Sequence, residues 1–414
     1  MIKNKKVLIS AYSCEPGFSS EREIGWKWSN LISEFAEVYV LTRKSNQITI
    51  EKYIEENQIP CNLQFIYYDL PNWLKKWKKA ERGLYLYYTL WQCGALLKAR
   101  EIHKKQNFDI VHYVTFGSLL LPNFMCFMPT KFVLGPVGGA ENVPLNFINE
   151  FSTKGKISEV IRHSIQKLQR INPLFWIQCI KADKILVRTK ETKKMIPNIF
   201  SSKTELMLET GVPEELMSYK SININDRTSE ITFITIGRFI HSKINLLTLK
   251  VILEFKRKYK KPFKFYIVGD GYERKKLENF CLENDLKDNV IFTGWIERNQ
   301  VFEYLSKSDI YYSTTFKEGG TWAFFEAVAI GLPVVCLKIS GPDMIVGDNC
   351  GMKIDPSNPE KVIEDLSNAL LELSNNSEKR KELSNKAKDY LMGNLTWSQM
   401  MNRIETIYDD ILKK

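Results

Sequence analysis

The chain has 414 residues, of which 44% are hydrophobic and 26% charged, and a net charge of +11 at pH 7. That length exceeds one ordinary core and calls for two domains; the composition excludes a disordered chain and fits a soluble globular one. No apolar run approaches the ~20 residues of a membrane span, and the run after the basic start MIKNKK is too short for a secretory signal. Eight cysteines without CxxC pairs, or histidines at ligand spacing, argue against zinc and against a disulfide framework. Reduced thiols fit the cytoplasm. The positive charge favours an anionic partner, whether phosphorylated ligand, nucleic acid or acidic membrane face.

In chain order, short apolar runs alternate with amphipathic or charged segments. Val7 to Ala11, Val38 to Thr42, Leu63 to Tyr67, Ile110 to Tyr113, Phe132 to Leu134 and Ile185 to Arg188 read as buried strands. After a polar stretch rich in Ser and Asn the rhythm restarts, with Ile231 to Ile236, Phe263 to Val268, Val290 to Phe292, Ile310 to Ser313 and Pro333 to Leu337. This is the βαβ rhythm of parallel sheets covered on both faces. The expected architecture is therefore two doubly wound α/β domains with a ligand cleft between them. Residues 1–213 form the first domain, 214–230 the linker and 231–393 the second domain. Residues 394–414 are an amphipathic helix packing back across both.

One segment departs from this rhythm. Trp73, Lys75, Lys76, Trp77, Lys78 and Lys79 interleave aromatic rings with ammonium groups, as an interfacial helix does on an anionic membrane surface. The same pattern also suits a solvated helix whose tryptophans pack inward.

The densest chemistry lies in EGGTWAFFEAVAIGLPVV. Glu318, Gly319 and Gly320 precede an apolar helical run that stops at Gly331-Leu332-Pro333. The free amides of Gly320, Thr321 and Trp322 at that helix start suit phosphate oxygens. Glu318 and Glu326 would stand near opposite ends of an extended ligand, where carboxylates accept hydrogen bonds from sugar and ribose hydroxyls. A nucleotide sugar is the ligand this suggests. Gly237, Arg238 and Lys243 follow ITFITI, and an Arg fork with a Lys point charge clamps a diphosphate. Gly269-Asp270-Gly271 follows FKFYIV and allows close backbone approach, while Trp295 and Ile296 follow VIFTG and offer a surface to a base. These loops share one sheet edge.

Those elements together resemble the retaining glycosyltransferases of family 4, the group 1 transferases, with the GT-B fold. The resemblance rests on Gly237, Arg238 and Lys243, on the GDG turn and on the E-x7-E pair Glu318 and Glu326. In the first half, AYSCEPGFSSEREIGW, DIVHYVTFGS, GPVGGAE, Ala182-Asp183 and Thr210-Gly211-Val212 are similar to that family's strand-end loops. The resemblance implies transfer of a sugar from a nucleoside-diphosphate donor, with retention and with neither metal nor cofactor. Arg238 and Lys243 would neutralise the leaving diphosphate, Glu326 would hold the ribose and Glu318 the donor sugar. His112 is an active-site candidate, and Gly25, Gly138, Gly139 and Glu141 are acceptor-side or cleft candidates. The acceptor would be lipid-linked or an oligosaccharide, in surface polysaccharide synthesis at the inner face of the cell membrane. Val114 stands where the family often carries a second histidine, and Ser19 and Glu23 where glycine is usual. A sugar-nucleotide epimerase of the same architecture is an alternative, but it needs more first-domain histidines and carboxylates than four histidines in the chain allow. A basic nucleic-acid-binding protein lacks a recognition motif, and a dehydrogenase lacks GxGxxG at its first helix.

Overall fold

The computed structural model describes residues 5–17, 20–75, 83–212, 216 and 230–413. Its contacts divide it into two compact units: Met1–Ala140, Ser164–Glu209 and Met400–Lys414 make the first, Glu141–His163 and Thr210–Gln399 the second. The first holds seven strands, β1 (Lys6–Ser10), β2 (Glu37–Arg43), β3 (Leu63–Tyr68), β4 (Ile110–Tyr113), β5 (Lys131–Val137), β6 (Lys184–Val187) and β7 (Thr204–Leu206), in the order β3-β2-β1-β4-β5-β6-β7. The second holds β8 (Ile231–Ile236), β9 (Phe263–Val268), β10 (Val290–Gly294), β11 (Ile310–Ser313), β12 (Val334–Leu337) and β13 (Met352–Ile354), in the order β10-β9-β8-β11-β12-β13. Every pairing is parallel. The central strands are buried on both faces, which is why they read as unbroken apolar runs. In each unit the strand order reverses between two central strands, β1 and β4 in the first, β8 and β11 in the second. Ligands of open α/β sheets bind at the carboxyl ends of such strands.

The units do not follow chain order. Residues 141–163 join the second because Val143, Phe147 and Phe151 belong to its core, with the Phe147 ring 4.9 Å from that of Phe316. The end of the helix Trp397–Leu412 joins the first, where Arg403 grips Glu205 in a fork at 2.5 and 2.8 Å. Most of the 214–230 connection lies outside the described residues. Among the described residues no helix is long and apolar enough to cross a membrane.

One device recurs at the starts of paired strands. Asp109 accepts from the Lys6 amide at 2.9 Å, Asp183 from Phe132 at 2.8 Å and Asp309 from Thr232 at 2.8 Å. Each aspartate thus satisfies a donor at the open start of the neighbouring strand. The Ala182-Asp183 pair singled out in the sequence serves the sheet in this way.

Candidate active site

The site is built in the second unit from the carboxyl ends of β8, β9, β10 and β11. The loop after β8 and the GDG turn after β9 touch through backbone: Gly237 donates to Val268 at 3.0 Å and Phe239 to Asp270 at 2.9 Å. Gly269, with φ +128°, donates to Gly294 at 3.0 Å, and a Cβ on it would fall on the Gly237 carbonyl. This approach requires glycine. The Asp270 carboxylate is turned into its own loop, on the Gly271 amide at 2.7 Å and Arg274 at 2.9 Å.

The β8 loop is laced in turn to the loop after β11. Phe316 donates to the Ser242 carbonyl at 2.9 Å, and the hydroxyls of Thr248 and Thr314 stand 2.6 Å apart. That lacing brings Lys243 onto Glu318 as an ion pair, both side chains mostly buried. Arg238 is exposed on the same loop. Behind Glu318 and Gly319 lies Ser340-Gly341: the Gly341 amide donates to the Glu318 carbonyl at 3.0 Å, and a Cβ there would strike Gly319. Gly320 is held as closely by the Thr210 side chain.

The helix Trp322–Ile330 begins at Thr321 without a side-chain cap and is buried from Ala323 onward. It ends at Gly331, φ +101°, as the Gly-Leu-Pro stop predicts. Glu326, 6% exposed, sits on this helix. Arg298 reaches it at 3.2 Å while its guanidinium lies 4.9 Å from the Trp322 ring centre. Burial pushes the Glu326 carboxyl up from its ordinary range, and Arg298 opposes that shift. Trp295 is 72% exposed, so its ring is open to a planar ligand.

A second charged cluster supports the lysine next to Glu318. Glu159, fully buried, receives His241 Nε2 at 2.8 Å and pairs with Lys317. Burial raises its pKa, but the bonds from His241 and Lys317 outweigh it and hold the carboxyl at about 2. Arg298, Glu159 and Ser340-Gly341 escaped the sequence reading. Arg298 was within reach, standing just beyond Trp295; the others carry no local signature.

The first-unit candidates are placed differently. His112 on β4 is fully buried, with Nδ1 2.6 Å from the Tyr408 hydroxyl and Nε2 2.5 Å from the Gly135 carbonyl. The carbonyl fixes the proton on Nε2, so Nδ1 accepts from Tyr408 and both ring nitrogens are occupied within the fold. Burial depresses its pKa to about 4, against the opposing Gly135 bond. Gly25 lies in the helix Ser20–Ser33 where a Cβ would meet the Ser13 carbonyl. Gly138 bridges Ser118, and Gly139 takes φ +134°. Glu141, in the second unit, is buried beside Arg162. Val114 is buried and Glu23 half-buried on the first helix; Ser19 lies outside the described residues. Trp73 is 69% exposed; Lys76, Trp77, Lys78 and Lys79, with the Lys75 side chain, lie outside the described residues.

Two parallel α/β units wound in this way form the GT-B fold of glycosyltransferases. Residues 220–390 match the family model of the group 1 glycosyl transferases. An uncharacterised glycosyltransferase of Methanocaldococcus jannaschii is 23% identical over 281 residues, 68% of this chain and 73% of that one. One subunit of human phosphatidylinositol N-acetylglucosaminyltransferase is 26% identical over 247 residues, 57% of this chain but 50% of the relative. The structure of Anabaena HepE in complex with UDP superposes with a TM-score of 0.61 at 12% identity, covering 98% of this chain and 100% of that chain. A capsular polysaccharide biosynthesis glycosyltransferase of Staphylococcus aureus, CapH, is 25% identical over 228 residues, 54% of this chain and 58% of that one, and the match to the family model lies within the second unit.

Proposed function

We propose that the chain transfers a sugar from a nucleoside-diphosphate sugar to a glycan or lipid-linked acceptor, retaining the anomeric configuration and using neither metal nor cofactor. The observation that carries this reading is the ion pair of Lys243, on the loop after β8, with Glu318, on the loop after β11, followed by buried Glu326 on the helix Trp322–Ile330. In it the bond from the anomeric carbon to the leaving phosphate breaks as the acceptor hydroxyl bonds to that carbon. The leaving phosphate takes the acceptor's proton. Lys243 and exposed Arg238 stabilise the charge developing on the diphosphate. Glu318 orients the donor sugar, Glu326 accepts from the ribose hydroxyls, and the uncapped amides at 320–322 receive a phosphate oxygen. Trp295 and Ile296 face the base. HepE was solved with UDP, which supports a nucleotide ligand here. The protein would work at the inner face of the cell membrane as a peripheral protein. The epimerase alternative is not favoured, since the one first-unit strand histidine is bonded at both nitrogens.

A thermal-shift screen across nucleotides and nucleotide sugars tests the donor assignment. A matched donor at a hundred times its Kd stabilises by about 2.7 kcal/mol, and only nucleotides sharing one base should do so. Absence of any shift across the panel contradicts the reading.

A further inference from the structure

The helix Thr153–Gln169 is folded inside out. A helix on a globular surface buries its apolar stripe and shows its polar face to water. Here Ile157, Ile161, Ile165 and Leu168 recur at helical spacing and are 55%, 53%, 44% and 60% exposed, followed by Ile171 at 75%. The buried face is polar instead. Up to His163 the helix belongs to the second unit and from Ser164 to the first, and each part shows the same reversal. In the second unit Glu159 bonds His241 and Lys317, and Arg162 donates to the Glu141 carbonyl at 3.0 Å. In the first, Gln166 donates to the Gly139 carbonyl at 2.6 Å and Gln169 to the Leu119 carbonyl at 2.5 Å. These bonds fix the rotation of the helix, so the apolar stripe faces out by construction. From Ile157 to Leu168 it runs about 17 Å at ~1.5 Å per residue.

We propose that this stripe is a docking surface for an anionic lipid bilayer. The charge around it selects that occupant. Lys154, Lys167 and Arg170 are exposed and Lys156 is half-buried, while Glu159, the one acid on the helix, is buried and already paired. Lysine stems extend along an apolar face and carry their ammonium groups to lipid phosphates at the headgroup level. A protein partner covering the stripe would gain from these lysines only where it set acids against them, whereas an anionic bilayer meets all of them with lipid phosphates. Isoleucine and leucine side chains reach the acyl boundary with no hydrogen bond left to satisfy. The assignment rests on the peripheral-membrane part of the proposed function and gives it a second surface, apart from Trp73.

The test is flotation of the full chain with vesicles of phosphatidylglycerol and phosphatidylcholine in equal parts, against phosphatidylcholine alone. The wild type should float with the anionic vesicles, less so as salt rises. The Ile161→Glu/Leu168→Glu variant should bind at least tenfold more weakly with an unchanged melting temperature, and Lys156→Ala and Lys167→Ala should each cost roughly fivefold. Retention of binding by the double variant overturns the assignment; if Trp73→Ala loses it, the membrane reading survives on that other segment. Failure of the wild type to float overturns both membrane statements. A concentration-dependent dimer that the double variant abolishes, without vesicle binding, makes the occupant a second copy and also overturns the proposal. Nucleotide-sugar hydrolysis without vesicles, measured in parallel, stands or falls independently.

Discussion

Replacing Glu326 separates its proposed work on the nucleotide from its work in the fold. In the protein its carboxylate is 6% exposed and meets Arg298 at 3.2 Å, while the Arg298 side chain is 53% exposed. An ion pair with one half-exposed partner contributes only about 0–1 kcal/mol, so the Glu326→Gln protein, which keeps the volume, should melt near the wild type. Hydrogen bonds from ribose hydroxyls to a charged, buried acceptor are worth about 1.5–3 kcal/mol. That predicts donor binding weakened by roughly ten- to one-hundred-fold in Glu326→Gln. Titration calorimetry with the nucleotide that stabilises the wild type most reads this directly, and melting curves supply the control. Unchanged affinity in a normally folded variant would refute the ribose assignment. Equal losses for the nucleotide and for its free base would refute it too, because the free base has no ribose to lose.

Three further outcomes follow from the packing. Gly269→Ala places a Cβ on the Gly237 carbonyl at φ +128°, so it should destabilise the second unit by about 1–3 kcal/mol and weaken nucleotide binding; wild-type melting would contradict the loop contact. On acidification, His112 binds its proton only near pH 4 in the folded chain against an ordinary 6.5, so its stabilisation is complete above pH 6.5 and fades between 6.5 and 4. Glu159, held at about 2 against an ordinary 4.5, keeps its contribution down to pH 4.5 and loses it toward pH 2. Each amounts to about 3 kcal/mol at ~1.36 kcal/mol per pKa unit, so calorimetry should show the first unit's transition falling at higher pH than the second's. The reverse order would contradict the assignment of these two groups.

How far the sequence foretold this structure can be traced residue by residue. Ile110 to Tyr113, Ile231 to Ile236, Phe263 to Val268 and Ile310 to Ser313 were legible to the residue, because strands of a parallel sheet covered by helices are mostly apolar. The strands β7 and β13 were not. Each has three residues at a sheet edge, TEL and MKI, where half-burial admits charge. The close approach of the loops after β8, β9 and β10 was legible because glycines mark backbone approach, and Gly269 meets Gly237 as that reading requires. Glu159 and Arg298 were not, since their meaning lies in partners remote in the chain. The helix Thr153–Gln169 shows the limit most plainly. Its apolar period looks like that of any core-facing helix, and only the fixed partners of Glu159, Gln166 and Gln169 reverse its faces.

The most direct test of the central claim is release of nucleoside diphosphate from a panel of nucleotide sugars by the wild type and by Lys243→Ala. The account predicts that one donor is turned over. It also predicts that Lys243→Ala lowers kcat about 10²–10³-fold, the scale of removing one charge-stabilising donor, with a smaller loss in donor affinity. Turnover of no donor, or a Lys243→Ala enzyme working at the wild-type rate, would contradict it.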